Sequence, residues 1–202
     1  MIVVKYLLII VATLSFQAPQ KKVILFFGDS LTAGYGLSTE EAFPAISEKL
    51  LLKSGKMVKV VNAGLSGETS AGGLSRIDWI LRQPIDIFVL ELGANDGLRG
   101  LPLNQTRTNL QAILDKVKAK YPKAKFVLAG MMVPPNMGKE YATEFRKIYP
   151  DLAKKNNATL IPFLLEGVGG DEKLNQADGI HPNVEGHRIV GKNVTRILEK
   201  LL

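Results

Sequence analysis

Short apolar runs alternate along the chain with longer amphipathic stretches, and this alternation is its strongest structural signal. Five of the runs are rich in β-branched residues or nearly continuous in apolar ones, as strands buried on both faces of a sheet are. They predict strands over 23–27, 57–62, 85–93, 125–133 and 158–163. The pattern is typical of a parallel sheet that is covered on both sides.

The amphipathic stretches predict helices over 41–53, 70–82, 104–120, 139–156 and 182–202. Ser38 and Glu41 have the spacing of a capping box before the first helix, and Pro182 suits the first turn of the last one. Strands and helices that alternate at this spacing imply right-handed βαβ crossovers. We therefore expect an α/β fold, a three-layer α/β/α sandwich with a central, mostly parallel five-stranded sheet.

Residues 1–20 differ in pattern from the rest, because Lys5 precedes an apolar run from Tyr6 to Phe16 and a polar stretch follows. This arrangement resembles a secretory signal peptide, and the run is shorter than the roughly 20 apolar residues of a spanning helix. A buried first strand or an uncleaved N-terminal anchor are the alternatives. We predict export to the periplasm or the medium, and a single domain over 21–202, since no linker interrupts that range.

The formal net charge is +7, but the lysines are scattered over helical stretches and form no stripe with interleaved aromatic residues. This distribution argues against nucleic-acid binding. A solvated basic face is the simplest interpretation, with weak attraction to an anionic membrane surface or an acidic substrate left open. The chain has no cysteine, which excludes disulfides, thiolate metal sites and cysteine nucleophiles. We expect a monomer.

Four polar, glycine-rich clusters follow the predicted strands, at the edge of the sheet where α/β folds bind their ligands. They are Gly28-Asp29-Ser30, the segment from Asn62 to Thr69, Gly93-Ala94-Asn95-Asp96, and Asp178-Gly179-Ile180-His181. Ser30 is a candidate nucleophile, although a serine and an aspartate at this position also suit a helix N-cap. A serine hydroxyl needs a neighbouring base to become an effective nucleophile.

The chain has two histidines, so the search for that base is short. His181 follows Asp178 by three residues on a turn, where the carboxylate can fix one ring nitrogen and leave the other for Ser30. His187 falls within the last predicted helix, and we interpret it as a surface or helix-packing residue. The Asn95 amide, the Gly67 N–H and the Ser30 N–H are candidate donors to an oxyanion.

Each cluster alone is a weak signal, but the four together, in this order, resemble the SGNH or GDSL hydrolase superfamily. The blocks read FGDSLTAGYG, NAGLSGETS, ELGANDGLRG and DGIHPN. More narrowly, the chain is similar to the bacterial multifunctional acyl-CoA thioesterase I, lysophospholipase L1 and arylesterase group, from Val23 to the last helix. The glycine at position 64 departs from relatives, which often carry a small polar residue there.

The resemblance implies that Ser30 is the nucleophile, His181 the general base and Asp178 its orienting acid. It also implies an oxyanion hole formed by Ser30, Gly67 and Asn95, a flavodoxin-like SGNH fold, and no metal or organic cofactor. Asp29 belongs to the turn in that family, and we assign it no catalytic role.

The substrate is less clearly indicated. The loop GMMVPPNMG follows the fourth predicted strand and supplies the candidate substrate-binding residues Met132, Pro134 and Asn136, although Met131 and Met132 also suit the end of a buried strand. With the resemblance, the loop favours medium or long acyl esters, acyl thioesters or lysophospholipids as small-molecule substrates. The alternatives are a carbohydrate acetylesterase of the same superfamily and a non-catalytic acyl- or lipid-binding protein.

Overall fold

The computed structural model describes residues 20–202, and the predicted signal peptide or anchor lies almost wholly outside this range. Five parallel strands form one sheet in the order β2-β1-β3-β4-β5. The strands are β1 (Lys22–Gly28), β2 (Val58–Gly64), β3 (Ile87–Glu91), β4 (Lys125–Ala129) and β5 (Thr159–Ile161). The predicted α/β fold with a parallel five-stranded sheet is confirmed.

Seven α-helices accompany the sheet within the described range. They are α1 (Ser30–Ala33), α2 (Phe43–Lys53), α3 (Ser70–Ile80), α4 (Ala94–Leu98), α5 (Leu103–Lys120), α6 (Lys139–Asn156) and α7 (Val184–Glu199). None of them is both long and apolar enough to cross a bilayer.

The strand order creates a switch point between β1 and β3. The chain moves from β1 outward to β2 through α2, and then returns past β1 to β3, β4 and β5. Because parallel crossovers are right-handed, this reversal places α2 on one face and α3, α5 and α6 on the other. Helix α7 packs against α2, and α3 packs against α5. Ligands of such folds bind beyond the strand ends at this reversal.

The carboxyl ends of β1, β2 and β3, beside the switch point, lie in register with one another. Gly28 of β1 pairs with Gly64 of β2 on one side and with Glu91 of β3 on the other. Strand β1 is buried from Ile24 onward, and its Phe26 and Phe27 share the core with Phe88 of the central strand β3. Whatever follows these three strands is therefore presented at one rigid edge.

Several predicted boundaries were wrong. The strand expected over 125–133 ends at Ala129, because Met131 and Val133 are buried outside the sheet. Ser38 and Glu41 do form a capping box, but it caps a 3-10 turn rather than a long helix. Pro182 precedes the last helix, which Asn183 caps by accepting hydrogen bonds from two backbone N–H groups.

Candidate active site

Ser30 lies at the first position of α1, in the turn directly after β1. The Asp29 carboxylate caps this helix by accepting a hydrogen bond from Leu31 N at 3.0 Å, and Gly34 ends it in the left-handed conformation. A Cβ on Gly64 would lie 2.2 Å from Ala33 N, so the glycine at this position allows α1 to pack closely against β2. The short helix therefore holds Ser30 at the switch point.

His181 reaches this turn from a loop before α7, 151 residues further along the chain. Its Nε2 lies 2.9 Å from Ser30 Oγ, and its Nδ1 lies 2.7 Å from Asp178 Oδ2. The other carboxylate oxygen of Asp178 accepts hydrogen bonds from Ile180 N and His181 N. These bonds, first of all the one from the His181 backbone, lower the pKa of Asp178 to about 2. An ionised Asp178 favours the tautomer with the proton on Nδ1, which leaves Nε2 free to accept from Ser30.

The His181 loop is fixed by contacts that the sequence did not indicate. Gln176 N donates to His181 O at 2.8 Å, and the Gln176 side-chain amide donates to Tyr35 O at 2.7 Å. The Tyr35 ring lies 4.6 Å from the imidazole, measured between ring centroids. An antiparallel bridge between Asn175 and Pro182 closes the loop. The loop that carries the histidine is thereby tied to the segment that follows Ser30.

The three candidate oxyanion donors lie directly after β1, β2 and β3, Ser30 and Asn95 in the first turns of α1 and α4 and Gly67 in a turn. Among residues 20–202, no protein acceptor takes a hydrogen bond from the Ser30 N–H or the Gly67 N–H. Gly67 has a φ of +77° and lies in the turn before α3, which begins at Ser70. The Asn95 amide donates one hydrogen bond to Asp29 Oδ2 at 3.1 Å. Its second amide hydrogen has no protein acceptor among residues 20–202.

A buried aspartate joins the loops that carry these donors. Asp96, beside Asn95, accepts hydrogen bonds from Ser70 N at 2.7 Å and from Ser70 Oγ at 2.5 Å. It also accepts from Thr106 Oγ1 of α5 at 3.2 Å. Helices α3, α4 and α5 are therefore locked together behind the site, which fixes the separation of Gly67 and Asn95.

The predicted substrate loop has a mixed environment. Met132, Pro134 and Asn136 are exposed, whereas Met131 and Val133 are buried. Val133 Cγ1 lies 2.4 Å from where a Cβ on Gly97 would sit, so the loop packs closely on the helix that carries Asn95. Beyond Val133 lies a groove of about 710 Å³ on α6, lined by Val133, Lys139, Ala142, Thr143, Arg146, Lys147 and Pro150.

His187 lies apart from this constellation and is buried, not exposed. Its Nδ1 accepts a hydrogen bond from Phe43 N at 3.1 Å, and its ring stacks on the Phe43 ring. Burial lowers the pKa of His187 to about 4. The histidine is a packing residue between α2 and α7, as one of the two interpretations of the sequence held.

The model of the GDSL-like lipase/acylhydrolase family matches residues 26–189, which include Ser30, Gly67, Asn95, Asp178 and His181. The chain belongs to this family. Esterase TesA of Pseudomonas aeruginosa is 40% identical over 187 residues, which are 92% of this chain and 92% of that protein. Thioesterase 1/protease 1/lysophospholipase L1 of Escherichia coli K12 is 40% identical over 191 residues, or 94% of this chain and 89% of that protein.

The family fold is also shown by a solved structure. A crystal structure of TesA superposes with a TM-score of 0.85 at 41% identity, covering 90% of this chain and 100% of the other. The predicted membership of the GDSL hydrolases is thus confirmed. So is the prediction that the chain is an enzyme that hydrolyses ester bonds.

Two buried acids in this GDSL hydrolase escaped the sequence reasoning as functional candidates. Asp29 is 1% exposed and Glu91 is fully buried, and Glu91 Oε2 accepts a hydrogen bond from the Asp29 backbone N–H at 3.1 Å. Burial raises the pKa of Asp29 to about 6 and raises the pKa of Glu91 well above its ordinary value. A glutamate at the end of an otherwise apolar strand, in the segment IDIFVLELG, was the signal available.

Proposed function

We propose that the chain is a serine hydrolase that cleaves acyl esters and thioesters through an acyl-enzyme intermediate. The observation that carries the proposal is the hydrogen-bonded series from Ser30 Oγ through His181 to Asp178, located at the switch point of the sheet. Binding an acyl chain without chemistry requires no such series. Together with membership of a hydrolase family, this argues against the alternative of a non-catalytic lipid-binding protein.

In the proposed reaction, Ser30 Oγ attacks the carbonyl carbon while His181 Nε2 accepts the hydroxyl proton. The negative charge of Asp178 stabilises the imidazolium that forms. Hydrogen bonds from Ser30 N, Gly67 N and Asn95 Nδ2 stabilise the oxyanion of the tetrahedral intermediate. His181 then protonates the departing alcohol or thiol as the bond to carbon breaks, and water repeats the sequence to release the acid.

The proposed substrates carry a long acyl chain and a phosphate, as in acyl-CoA or a lysophospholipid. Lys139, Arg146 and Lys147 line one wall of the groove beyond Val133, and their charge complements a phosphate. Lys147 is partly neutralised by Glu144, whereas the Arg146 guanidinium contacts Met132 Sδ at 3.0 Å. The carbohydrate acetylesterase remains the alternative, because an acetyl ester does not need the groove.

One experiment separates these functions. The purified protein is treated with a fluorophosphonate, and hydrolysis of p-nitrophenyl acetate, p-nitrophenyl octanoate and palmitoyl-CoA is measured. Ser30→Ala should abolish both labelling and hydrolysis, while the control Ser75→Ala, at an exposed serine on α3, should change neither. Unchanged rates in Ser30→Ala would refute the proposal, and activity on the acetate ester alone would favour the acetylesterase.

A charge-reversal pair tests the phosphate groove. Lys139→Glu with Arg146→Glu should raise KM for palmitoyl-CoA and leave KM for p-nitrophenyl octanoate unchanged, because only the first substrate carries phosphate. Lys192→Glu with Arg196→Glu, at two exposed positions on α7, is the control for the same change in net charge. Equal changes for both substrates would contradict a role for the groove in recognising phosphate.

We also propose that the protein is exported and that residues 21–202 form one domain. The apolar segment before residue 20 supports export. Mass spectrometry of the protein from the periplasm or medium of an expressing bacterium tests it. A mass equal to that of the full chain, together with retention in the cytoplasm, would contradict it.

A further inference from the structure

Glu91 ends the strand beside the nucleophile strand and lies beneath the Ser30 turn. Its Oε2 accepts hydrogen bonds from Asp29 N at 3.1 Å, Thr32 N at 3.2 Å and Thr32 Oγ1 at 2.7 Å. A Cβ on Gly28 would lie 2.4 Å from this oxygen, so the glycine before Asp29 admits the carboxyl group under the turn. Glu91 thus satisfies backbone groups at the start of the helix that carries Ser30.

The second oxygen of Glu91 has a different environment. Oε1 is buried, and among the described residues it receives no hydrogen bond. A buried ionised carboxylate with an unsatisfied oxygen is unfavourable, whereas a protonated carboxyl group needs an acceptor at that position. The hydrogen bond from Asp29 N to Glu91 Oε2 places the Asp29 residue against this carboxyl group, so its carboxylate is the neighbouring group that can accept from a protonated Oε1. Two buried carboxyl groups in contact hold one proton between them, because both cannot ionise without strong repulsion.

Asp29 connects this pair to the candidate oxyanion donor. Its Oδ1 accepts from Leu31 N, and its Oδ2 accepts from Asn95 Nδ2. A carboxylate can face only the nitrogen of the Asn95 amide, so the negative charge on Asp29 determines which way that amide points. The other titratable groups around the pair are His181, Asp96 and Tyr149, whose hydroxyl donates to Leu92 O.

We propose that Glu91 and Asp29 form a buried acid–carboxylate pair, with the proton on Glu91 and the charge on Asp29, that positions the Asn95 amide and the Ser30 turn for catalysis. Both are positioning residues, since neither is required to touch the substrate. The proposal rests on the proposed function, because it acts through Ser30 and Asn95.

Two substitutions of Glu91 test where the proton resides. Glu91→Gln keeps an oxygen to accept from Asp29 N and Thr32, and it gains an N–H that donates to Asp29, so it reproduces the neutral acid. Glu91→Leu keeps the approximate volume and removes both functions. We expect Glu91→Leu to lower kcat about ten- to hundredfold, the range seen when outer hydrogen-bond partners of metal-site ligands are removed. Glu91→Gln should recover most of that loss.

A double-mutant cycle tests the link from Asp29 to Asn95. Asp29→Asn retains an oxygen to cap α1 at Leu31 but removes the charge that holds the Asn95 amide. We expect it to lower kcat more than it raises KM, and to have little effect in an Asn95→Ala background. This lack of additivity would not follow from a purely structural role, and the cycle remains informative if Glu91→Leu fails to fold.

A spectroscopic measurement locates the proton directly. Near neutral pH, the infrared difference spectrum of wild type against Glu91→Gln should contain the C=O stretching band of a protonated carboxylic acid. Absence of that band, equal kcat for Glu91→Gln and Glu91→Leu, or additive effects of Asp29→Asn and Asn95→Ala would each overturn the proposal. Ser30→Ala distinguishes failure of this proposal from failure of the proposed function. If Ser30→Ala retains activity, the proposed function is wrong. If it is inactive, a negative result above concerns only the carboxyl pair.

Discussion

The buried His187 makes the free energy of unfolding depend on pH, and substituting this one residue measures its contribution. The residue is 1% exposed, and its neutral Nδ1 accepts a hydrogen bond from Phe43 N. Burial, with a smaller contribution from the charge of His181, lowers its pKa from 6.5 to about 4. Between these values the unfolded chain binds a proton that the folded chain does not. The contribution of His187 to stability is therefore complete above pH 6.5 and is lost as the pH falls toward 4.

The size of this effect follows from the shift. At 1.36 kcal/mol per pKa unit, His187 contributes about 3 kcal/mol at neutral pH that is absent at about pH 4. The Glu91 and Asp29 pair acts in the opposite direction, because burial raises the pKa of both carboxyl groups and the folded pair therefore keeps protons that the unfolded chain has lost. The wild-type pH profile thus mixes the contributions of His187 and of this pair, and a variant at His187 is needed to separate them.

His187→Asn supplies an oxygen that accepts from Phe43 N but does not titrate. Urea unfolding of wild type and variant, followed by circular dichroism at about pH 7.5 and about pH 4, measures the difference in unfolding free energy at each pH. We expect the advantage of wild type to shrink by about 3 kcal/mol at the lower pH. Ser47→Ala, at the same interface between α2 and α7, should show a difference independent of pH. The same constancy in His187→Asn would refute the reasoning.

Three further substitutions have expected outcomes. Gly28→Ala places a Cβ 2.1 Å from Thr32 Oγ1 and should destabilise the fold by about 1–3 kcal/mol. Thermal unfolding would register this as a lowered Tm, and a Tm equal to that of wild type would contradict the close packing. Asn95→Ala should lower kcat for p-nitrophenyl octanoate about 10²–10³-fold with little change in KM, and a loss confined to KM would remove Asn95 from the oxyanion hole. Arg76→Met leaves the buried Glu68 carboxylate without its partner and should lower the free energy of unfolding by about 3–5 kcal/mol. Adding Glu68→Gln should recover part of that loss, and no recovery would show that packing of Arg76 on Phe27 matters more.

The sheet and its polar edge were predictable from the sequence because both depend on local patterns. The apolar runs indicated strands that are buried on both faces of the sheet, and the polar residues after them marked the strand ends, where ligands bind in such folds. The same signal failed after β4, where the run continues through Met131 and Val133 although the strand ends at Ala129. An apolar run indicates burial, but its sequence pattern does not distinguish residues buried in a loop under the helices from residues buried in a strand.

The supporting contacts of the site were less predictable because they join distant parts of the chain. Gln176 contacts Tyr35 across 141 residues, and nothing in either segment marks the partner. Glu91 did carry a local signal, since a glutamate in a fully buried strand requires a specific partner. The identity of that partner depends on the register between β1 and β3, which a pattern of apolar residues leaves open.

The position of the His181 loop in the chain has a consequence for synthesis on the ribosome. All five strands end by Ile161, so the complete sheet emerges before residue 181 does. Domains generally fold as units, and α7, which packs against α2, follows this loop in the chain. The nascent chain therefore carries Ser30 outside the ribosome well before the proposed base and the last helix are present. With these roles, hydrolytic activity begins only when translation is nearly finished and the last loop docks against Tyr35, and a chain truncated before this loop would be folded in part and inert.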